Sequence, residues 1–378
     1  MLYLDHAATT VMRPEARAAM GPYLDAAFGN PSGIHQVSQR AKNAIEEARE
    51  RAAELIGAQR PLEIVFTGGG TEADNLAVAG AALAGGHRRG VVTTAIEHEA
   101  VLETARFCGR LGCPVEIVGV DRRGRVSPDD IAAAITEETA VVSVMAANNE
   151  TGTIQPLRKI AEAVRGVRGE VLVHTDAVQA FASETVTVHE TAADLIALAA
   201  HKFGGPKGTG LLYVRDGVTL EPVVHGGGQE LGRRSGTHNV AGIVGMVAAM
   251  DAAVADRAGF RQRVGVARNR FEARLLAAFP DLEMSAPVDA RLVQHSHLRI
   301  PGVGSETLLV RLDQAGVAAA AGSACQSGAL EVSHVLIAMG MDAETAAECV
   351  RFSFGWVNGP EDGDLAAERV IAVAESLR

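Results

Sequence analysis

The stretch EIVFTGGGTEADNLAVAGAAL (63–83) joins a short apolar segment to a helical one through three glycines. Its first five residues, 63–67, are mostly apolar and end at glycine, which is typical of a short buried strand. From Thr71 the apolar residues recur at helical spacing, which predicts a helix over 71–83. A strand that turns through glycine into a helix is the repeating unit of α/β folds, so this stretch predicts that class.

The same alternation of strand and helix continues to about residue 214. Further strands are predicted at 90–95, 115–120, 140–146, 170–176, 195–199 and 210–214, and helices at 100–111, 128–134 and 156–167. Near-continuous apolar strands that alternate with helices indicate a mostly parallel sheet covered on both faces. The order of the elements therefore predicts a large domain built on such a sheet.

Beyond about residue 255 the pattern changes, and the 378-residue chain is long enough for a second domain, at roughly 100–200 residues per domain. A long helix is predicted over 261–279, with shorter elements at 298–300 and 307–312 and two helical segments after them. These features predict a smaller α+β domain. Within it, the stretch 315–328 is rich in glycine, alanine and serine, which is typical of a mobile loop.

Composition and charge exclude several classes of function. Hydrophobic residues make up 47% of the chain and charged residues 21%, as in globular proteins. The net charge of −11 gives no general attraction to nucleic acid or to anionic membranes, so no direct nucleic-acid partner is expected. No apolar run approaches the ~18 residues that span a bilayer, and the N-terminus lacks the order of a signal peptide. We therefore expect no membrane partner and a cytoplasmic location.

The four cysteines are too few for a disulfide framework in a chain of this length, and a reducing compartment disfavours bridges. Cys108 and Cys113 could be considered as a metal-binding pair. However, they lack the matching second pair of a structural zinc site. No metal is therefore expected.

The glycine turn that precedes Thr71 suits a phosphate group. Free backbone N–H groups and the positive end of a helix dipole converge there, which makes Gly70 and Thr71 candidate phosphate ligands. The turn could equally be a plain strand-to-helix connection. Gly68, Gly70 and Ala73 also match the dinucleotide fingerprint, although Arg88 and its neighbours stand where that fingerprint has an acidic residue. A nicotinamide enzyme therefore stays open as an alternative.

Asp176 and Lys202 end or follow two successive predicted strands, at the edge where α/β sheets bind ligands. Taken singly, Asp176 could be a turn cap, or a metal ligand together with His174, and Lys202 could be a surface lysine. Taken together, they supply the carboxylate and the lysine that pyridoxal phosphate (PLP) needs at its pyridine nitrogen and its aldehyde carbon. The pair therefore indicates a PLP site.

Two further stretches carry chemistry. GGGQE (226–230) and RRSGT (233–237) offer glycine, hydroxyl and cationic groups for a phosphate. GSACQSG (322–328) places the thiol of Cys325 among small residues. A lone cysteine is commonly an inert buried residue, but this setting is more consistent with a thiol that moves to a substrate and away again.

In order along the chain, these motifs resemble those of the cysteine desulfurases, which are fold-type-I, aminotransferase class V enzymes that depend on PLP. The resemblance covers nearly the whole chain and includes YLDHAATT (3–10), NPS (30–32), TGGGTEADNLA (67–77), EH (97–98), NNETG (148–152), HTDAVQ (174–179), HKFGGPKGTG (201–210), GGGQE (226–230), RSGTHNV (234–240), GSACQSG (322–328), SHVL (333–336) and RFSFG (351–355). It implies a large PLP-binding domain over 16–255 with a mostly parallel seven-stranded sheet. A small α+β domain over 1–15 and 256–378 should carry the cysteine.

The resemblance implies a role for each matching residue around the cofactor ring. Lys202 should hold PLP through a Schiff base, and Asp176 should pair with the pyridine nitrogen. Gln179 should lie near the phenolic oxygen. His98 should stack on the ring and move a proton, and Asn149 should lie near the ring and the substrate.

The resemblance also implies residues for the phosphate, the substrate and the sulfur. Gly70, Thr71 and His201 should hold the phosphate. Thr237 should reach the phosphate of the second subunit in a homodimer. Arg351 should bind the substrate carboxylate with its planar fork of donors, and Cys325 should be the nucleophile.

The implied reaction converts L-cysteine to L-alanine, with transfer of sulfur to Cys325 as a persulfide. A sulfur-acceptor protein should then receive the sulfur for iron–sulfur cluster assembly or for thiolation of tRNA, DNA or metabolites. A selenocysteine lyase or another PLP β-lyase is the chemical alternative, and a non-catalytic scaffold is the alternative from another class. The sequence departs from the family pattern at His6, Ala199, His238 and Gln326. Ala199 stands where members of this family often have a serine that helps to bind the phosphate.

Overall fold

The computed structural model describes residues 1–86, 89–286, 289–322 and 332–378. Its strands are β1 (Leu2–Tyr3), β2 (Ile64–Thr67), β3 (Gly90–Thr94), β4 (Val115–Val118), β5 (Thr139–Ser143), β6 (Leu172–Asp176), β7 (Leu195–Ala199), β8 (Gly210–Val214), β9 (Glu283–Met284), β10 (His295–Arg299), β11 (Val317–Ala318) and β12 (Cys349–Ser353). Its helices are α1 (Pro14–Leu24), α2 (Gln36–Ile56), α3 (Gly70–Leu83), α4 (Glu99–Arg110), α5 (Pro128–Ala134), α6 (Leu157–Val167), α7 (Val188–Thr191), α8 (Val240–Ala278), α9 (Ser305–Gln314), α10 (His334–Ala338), α11 (Ala343–Ala346) and α12 (Pro360–Glu375).

A seven-stranded sheet forms the centre of the part of the chain that the structure describes, in the order β2-β8-β7-β6-β5-β3-β4. The pairs among β3 to β7 are parallel. Strand β8 runs antiparallel to both β2 and β7. The predicted α/β class and the mostly parallel sheet are therefore confirmed.

Burial on both faces explains the apolar sequences of the central strands. Every residue of β7 and β8 is buried, and α3 packs against both strands. Strands covered on both faces in this way present no face to water, so they consist mostly of apolar residues. The polar residues of β6 lie toward its carboxyl end, where the strand ends at Asp176.

A second group of elements packs around smaller sheets. Strands β12, β10 and β9 form one antiparallel sheet, and β1 pairs with β11. Their shared core contains Leu4, Phe271 and Phe352, and the last two rings lie 4.9 Å apart between centroids. The chain therefore contributes its first strand to an α+β unit made mostly of C-terminal residues.

Helix α8 begins at Val240, far earlier than the helix predicted over 261–279. Glycines weaken its first turns as helix formers, but Gly245 has a packing reason. A methyl group there would lie 2.4 Å from the Met20 side chain on α1, so the glycine lets the two helices approach closely. Although α8 has 39 residues, no helix in the described ranges combines the length and apolar character needed to cross a bilayer.

Helix α8 also passes from one hydrophobic core to the other. Met246 and Met250 belong to the core beside the central sheet, whereas Phe260 and Phe271 pack with the C-terminal elements. The division into 16–255 and the remaining residues stays a prediction. We propose that its boundary lies within α8, between these two groups of side chains.

Candidate active site

A cavity opens where β6 and β7 end, at the carboxyl edge of the central sheet. Asp176 is the last residue of β6, and Lys202 ends the short 3₁₀ turn that follows β7. Helix α3 begins beside them at Gly70, and β12 supplies Arg351. The cavity has a volume of about 210 Å³ and is lined by Ala7, Ala8, Gly70, Thr71, Asp74, His98, Met145, Asn149, Asp176, Val178, Gln179, Ala199, His201, Lys202 and Arg351.

Most residues that the sequence predicted for the site line this one cavity. They are Gly70, Thr71, His98, Asn149, Asp176, Gln179, His201, Lys202 and Arg351. Thr237 is exposed in this chain and is not among the lining residues. Cys325 lies outside the described residues.

The amino group of Lys202 is held by the N-terminal segment. Its Nζ donates to the carbonyl oxygens of Ala7 at 2.5 Å and Ala8 at 2.9 Å. The Lys202 backbone belongs to a turn that begins at Ala200. The Ala200 N–H donates a hydrogen bond to the carbonyl oxygen of Thr209. The motif DHAATT (5–10) thus supplies the two carbonyl acceptors that orient Lys202. The sequence alone did not reveal this role.

Asp176 is a buried residue that lines the cavity. Its Oδ1 accepts from the backbone N–H of Val178 at 2.9 Å. Burial raises the pKa of Asp176, while the nearby His98, the Val178 hydrogen bond and Lys202 act in the opposite direction. A cation placed beside this carboxylate would therefore be strongly favoured, since it would offset the cost of burying the charge.

The start of α3 forms the other end of the cavity. Gly69 precedes the helix with φ of 155°, a conformation that side chains disfavour. Gly70 and Thr71 of the first turn also line a wider opening that includes His201 and Lys207. Burial, together with the charges of Lys202 and Lys207, lowers the pKa of His201 to about 4. A helix N-terminus beside a lysine is suited to a phosphate.

These groups fit PLP in their chemistry. A buried carboxylate, a lysine and a phosphate-type helix terminus face one cavity, as PLP requires. Asn149 adds a buried Oδ1 that has no hydrogen-bond partner within the described residues. The glycine turn also opens on the cavity of Lys202, so the nicotinamide alternative leaves Asp176 and Lys202 without a role. Ala199 stands in the cavity wall with a methyl group in place of a hydroxyl.

Asp74 is a cavity residue that the sequence analysis missed. It lies on α3 and is 1% exposed, and its Oδ1 is 3.6 Å from His174 Nε2. Burial raises the pKa of Asp74 well above its usual range and lowers that of His174 to about 3. Burial therefore favours the neutral form of both groups. The only signal in the sequence was a charged residue near the start of a mostly apolar helical stretch.

Glu97 is a second buried acid, and it gives a pH-dependent prediction. Its Oε1 accepts from Thr94 Oγ1 at 2.6 Å and from Met145 N at 3.0 Å, while burial raises its pKa from 4.5 to about 8. The folded state therefore retains a proton that the unfolded state loses, so Glu97 reduces the free energy of unfolding as the pH rises from 4.5 through 8. Each pKa unit corresponds to about 1.4 kcal/mol.

We expect Glu97→Gln, which mimics the protonated acid, to flatten this dependence. In urea unfolding at pH 5 and pH 8, the variant should gain stability relative to the parent as the pH rises. A difference between the two proteins that stays constant with pH would show that Glu97 does not carry the extra proton.

Arg351 is fixed at the cavity by two partners. Its Nη2 donates to Asp5 Oδ1 at 2.7 Å, and its Nη1 donates to the carbonyl oxygen of Asn149 at 2.9 Å. The side chain is almost fully buried, so the ion pair is protected from solvent screening. Asp5 is a site residue that the sequence analysis quoted within a motif but did not assign.

Comparison with known proteins agrees with this geometry. The aminotransferase class-V family matches residues 2–365. The cysteine desulfurase IscS of Dictyoglomus turgidum is 40% identical over 381 residues, which cover 100% of this chain and 95% of that protein. The cysteine desulfurase IscS of Methanosarcina thermophila is 40% identical over 378 residues, with 100% of this chain and 93% of that protein covered.

Solved structures give the same relationship. A NifS-like protein superposes with a TM-score of 0.92 at 34% identity and covers 99% of both chains. SspA in complex with cysteine superposes with a TM-score of 0.81 at 31% identity, over 94% of this chain and 99% of that one. The chain therefore belongs to the aminotransferase class-V family, in its group of IscS- and NifS-like cysteine desulfurases.

Proposed function

We propose that this chain is a PLP-dependent cysteine desulfurase, which converts L-cysteine to L-alanine and takes up the sulfur on Cys325 as a persulfide. The observation that carries the proposal is that Asp176, Lys202 and Arg351 line the same cavity. Asp176 would pair with the ring nitrogen of PLP, Lys202 would bind its aldehyde carbon, and Arg351 would bind the substrate carboxylate. Two relatives named cysteine desulfurase, and SspA with bound cysteine, support L-cysteine as the substrate.

The residues that would hold PLP divide between its two ends. Lys202 would bind it covalently, Asp176 would pair with the pyridine nitrogen, and Gln179 would face the phenolic oxygen. Gly70, Thr71 and His201 would hold the phosphate. When bound, PLP supplies an electron sink for the charge left at Cα after proton removal.

Gln179 and His98 have side chains whose orientation is set by the protein. Gln179 Nε2 donates to the carbonyl oxygen of Ala7 at 2.9 Å, which leaves its Oε1 as an acceptor. His98 Nδ1 accepts from the N–H of Ala100 at 3.1 Å, so the neutral ring carries its proton on Nε2. We propose that His98 moves protons through Nε2, and that Asn149 lies near the ring and the substrate.

The sulfur step needs no additional reactant. The Cys325 thiolate forms a bond to the substrate sulfur while the bond between that sulfur and the substrate Cβ breaks. The three-carbon product takes up the protons that balance the reaction and leaves as L-alanine. The enzyme retains one additional sulfur atom, which a sulfur-acceptor protein would remove. Iron–sulfur cluster assembly is the first destination to test.

We further propose a homodimer in which Thr237 serves the phosphate site of the second copy. Thr237 is exposed on the single chain, as such a residue must be before assembly. Its neighbour His238 makes a hydrogen bond from Nε2 to the Glu230 carboxylate at 2.7 Å, and Arg49 forms an ion pair with the same carboxylate. This buried network would hold the Thr237 backbone in place. A cytoplasmic location stays a prediction.

The proposed function is tested by an absorbance scan followed by product analysis. The purified protein should show a near-ultraviolet or visible band from bound PLP, and added L-cysteine should change that band and yield alanine. A scaffold or a nicotinamide enzyme would show no PLP band. Absence of the band, or of alanine after loading with PLP, would contradict the proposal.

Arg351→Lys tests the substrate clamp. Lysine keeps the charge beside Asp5 but loses the planar fork, and charge-assisted hydrogen bonds of this kind contribute about 1.5–3 kcal/mol each. We expect kcat/KM for L-cysteine to fall roughly 10- to 100-fold, with PLP content unchanged. An unaltered kcat/KM would exclude Arg351 from substrate binding.

A further inference from the structure

Two carboxylates cover the outer edge of β2, the strand that leads into the glycine turn. This strand stands at one edge of the seven-stranded sheet, beside β8. The N–H of Phe66, within the strand, donates to Glu230 Oε2 at 3.0 Å. Two residues further on, the N–H of Gly68 donates to Glu72 Oε2 at 2.9 Å. The carboxylates therefore accept hydrogen bonds that a neighbouring strand would otherwise accept at this edge.

Each of these carboxylates is paired with an arginine. Arg49 on α2 donates to both oxygens of Glu230 at 2.7 Å. Arg234 pairs with Glu72 in the same way, from Nε to Oε1 at 2.7 Å and from Nη2 to Oε2 at 3.2 Å. Two parallel hydrogen bonds of this kind fix the orientation of a pair as well as its distance. The segment 230–234 is therefore attached to both β2 and the glycine turn.

Glu72 links this segment to the phosphate end of the cavity. It lies in the first turn of α3, directly after Thr71, which lines the cavity. Gly68 and Glu72 also line the wider opening at the start of this helix. On the other side of the ion pair, Arg234 precedes Thr237 by three positions in the sequence. One ion pair thus joins the proposed phosphate site of this chain to the segment that carries Thr237.

The charge of Glu72 indicates why it needs Arg234. A carboxylate in the first turn of a helix is stabilised by the helix dipole, but it repels a phosphate bound at the same N-terminus. The guanidinium of Arg234 compensates this charge. The side chains of Arg234 and Glu72 are 21% and 22% exposed, so solvent screens their interaction less than it screens a fully exposed pair.

We propose that Glu72 and Arg234 are positioning residues for the cofactor phosphate. Glu72 holds the N–H of Gly68 and thereby sets the shape of the glycine turn, and Arg234 neutralises the carboxylate that would otherwise repel the phosphate. This inference deepens the proposed function and rests on it. It assigns neither side chain a contact with the phosphate. Loss of either residue should weaken binding of the phosphate without altering the groups that serve the ring of PLP.

Binding of PLP and of pyridoxal to the cofactor-free protein isolates the contribution of the phosphate. Pyridoxal has the same ring and aldehyde but no phosphate, so the ratio of the two Kd values measures that contribution. We expect Arg234→Gln to weaken PLP binding roughly 5- to 20-fold and to leave pyridoxal binding within about twofold of the parent. Arg60→Gln is the matched control, because Arg60 forms an exposed ion pair with Asp216 at 3.0 Å. It should leave both Kd values unchanged.

Glu72→Ala separates positioning from charge. If only charge mattered, removal of a carboxylate beside the phosphate would tighten PLP binding, whereas we expect PLP binding to weaken by a similar factor. The double variant Glu72→Ala/Arg234→Gln should bind PLP no more weakly than the weaker single variant, since both changes break the same link. Tighter PLP binding in Glu72→Ala, additive losses in the double variant, or equal losses for PLP and pyridoxal would overturn the proposal.

Failure of the proposed function would give a different result. A parent protein that binds no PLP, or that binds PLP no more tightly than pyridoxal, would contradict the proposed function and this inference with it. A parent that prefers PLP, together with Glu72 and Arg234 variants that keep the same preference, would overturn this inference alone.

Discussion

Lys202→Ala is expected to lose covalently held PLP and to reduce turnover of L-cysteine at least about 1000-fold. The lysine is expected both to bind the cofactor and to move protons, and no other lysine lines the cavity in the described part of the chain. Its amino group is already oriented by the carbonyl oxygens of Ala7 and Ala8. Alanine removes this group without adding bulk, so the surrounding fold should persist.

Borohydride reduction followed by mass analysis measures the covalent attachment. The parent protein should retain reduced PLP on the peptide that contains Lys202, and the variant should retain none. Lys159→Ala is a matched control, since Lys159 is exposed on α6 and should leave both readouts unchanged. A borohydride-stabilised cofactor in Lys202→Ala would refute the assignment.

Cys325→Ser is expected to abolish the persulfide while it preserves cysteine binding. A serine hydroxyl is a far weaker nucleophile than a thiolate, so multiple turnover should fall at least about 100-fold. The other cysteines are poor substitutes because they are buried. Burial raises the pKa of Cys108 to about 11 and that of Cys349 to about 12, which disfavours their thiolates.

The change in PLP absorbance on addition of L-cysteine should survive in Cys325→Ser, because that step does not need the thiol. Cys108→Ala is the control for loss of a thiol elsewhere, and it should still form the persulfide. Unchanged turnover in Cys325→Ser would remove Cys325 as the nucleophile. The reaction would then resemble that of a selenocysteine lyase or another PLP β-lyase.

Local sequence patterns predicted the elements of the central sheet closely. Helix α5 and strands β7 and β8 have the predicted bounds, because each is a short apolar run or helix with clear start and stop residues. The start of α8 was missed, since Gly242 and Gly245 lower helix propensity and their close packing is visible only in three dimensions.

The candidate site was predictable where a motif carries its own chemistry, as for Lys202 and Asp176. Partners that are distant in sequence were not predictable. Asp5 and Arg351 are separated by 346 positions, and only the pairing of β1 and β12 with their neighbours brings them together. Asp74 was missed for another reason, because a polar residue on a helix is more often exposed than buried.

The most direct test of the account is one turnover of the PLP-loaded protein with a single equivalent of L-cysteine. Alanine is measured in solution, and the peptide that contains Cys325 is weighed by mass spectrometry without reducing agent. The account predicts one alanine per site and one additional sulfur atom on that peptide. Alanine without added sulfur on Cys325, or sulfur released as free sulfide from an unmodified thiol, would contradict it.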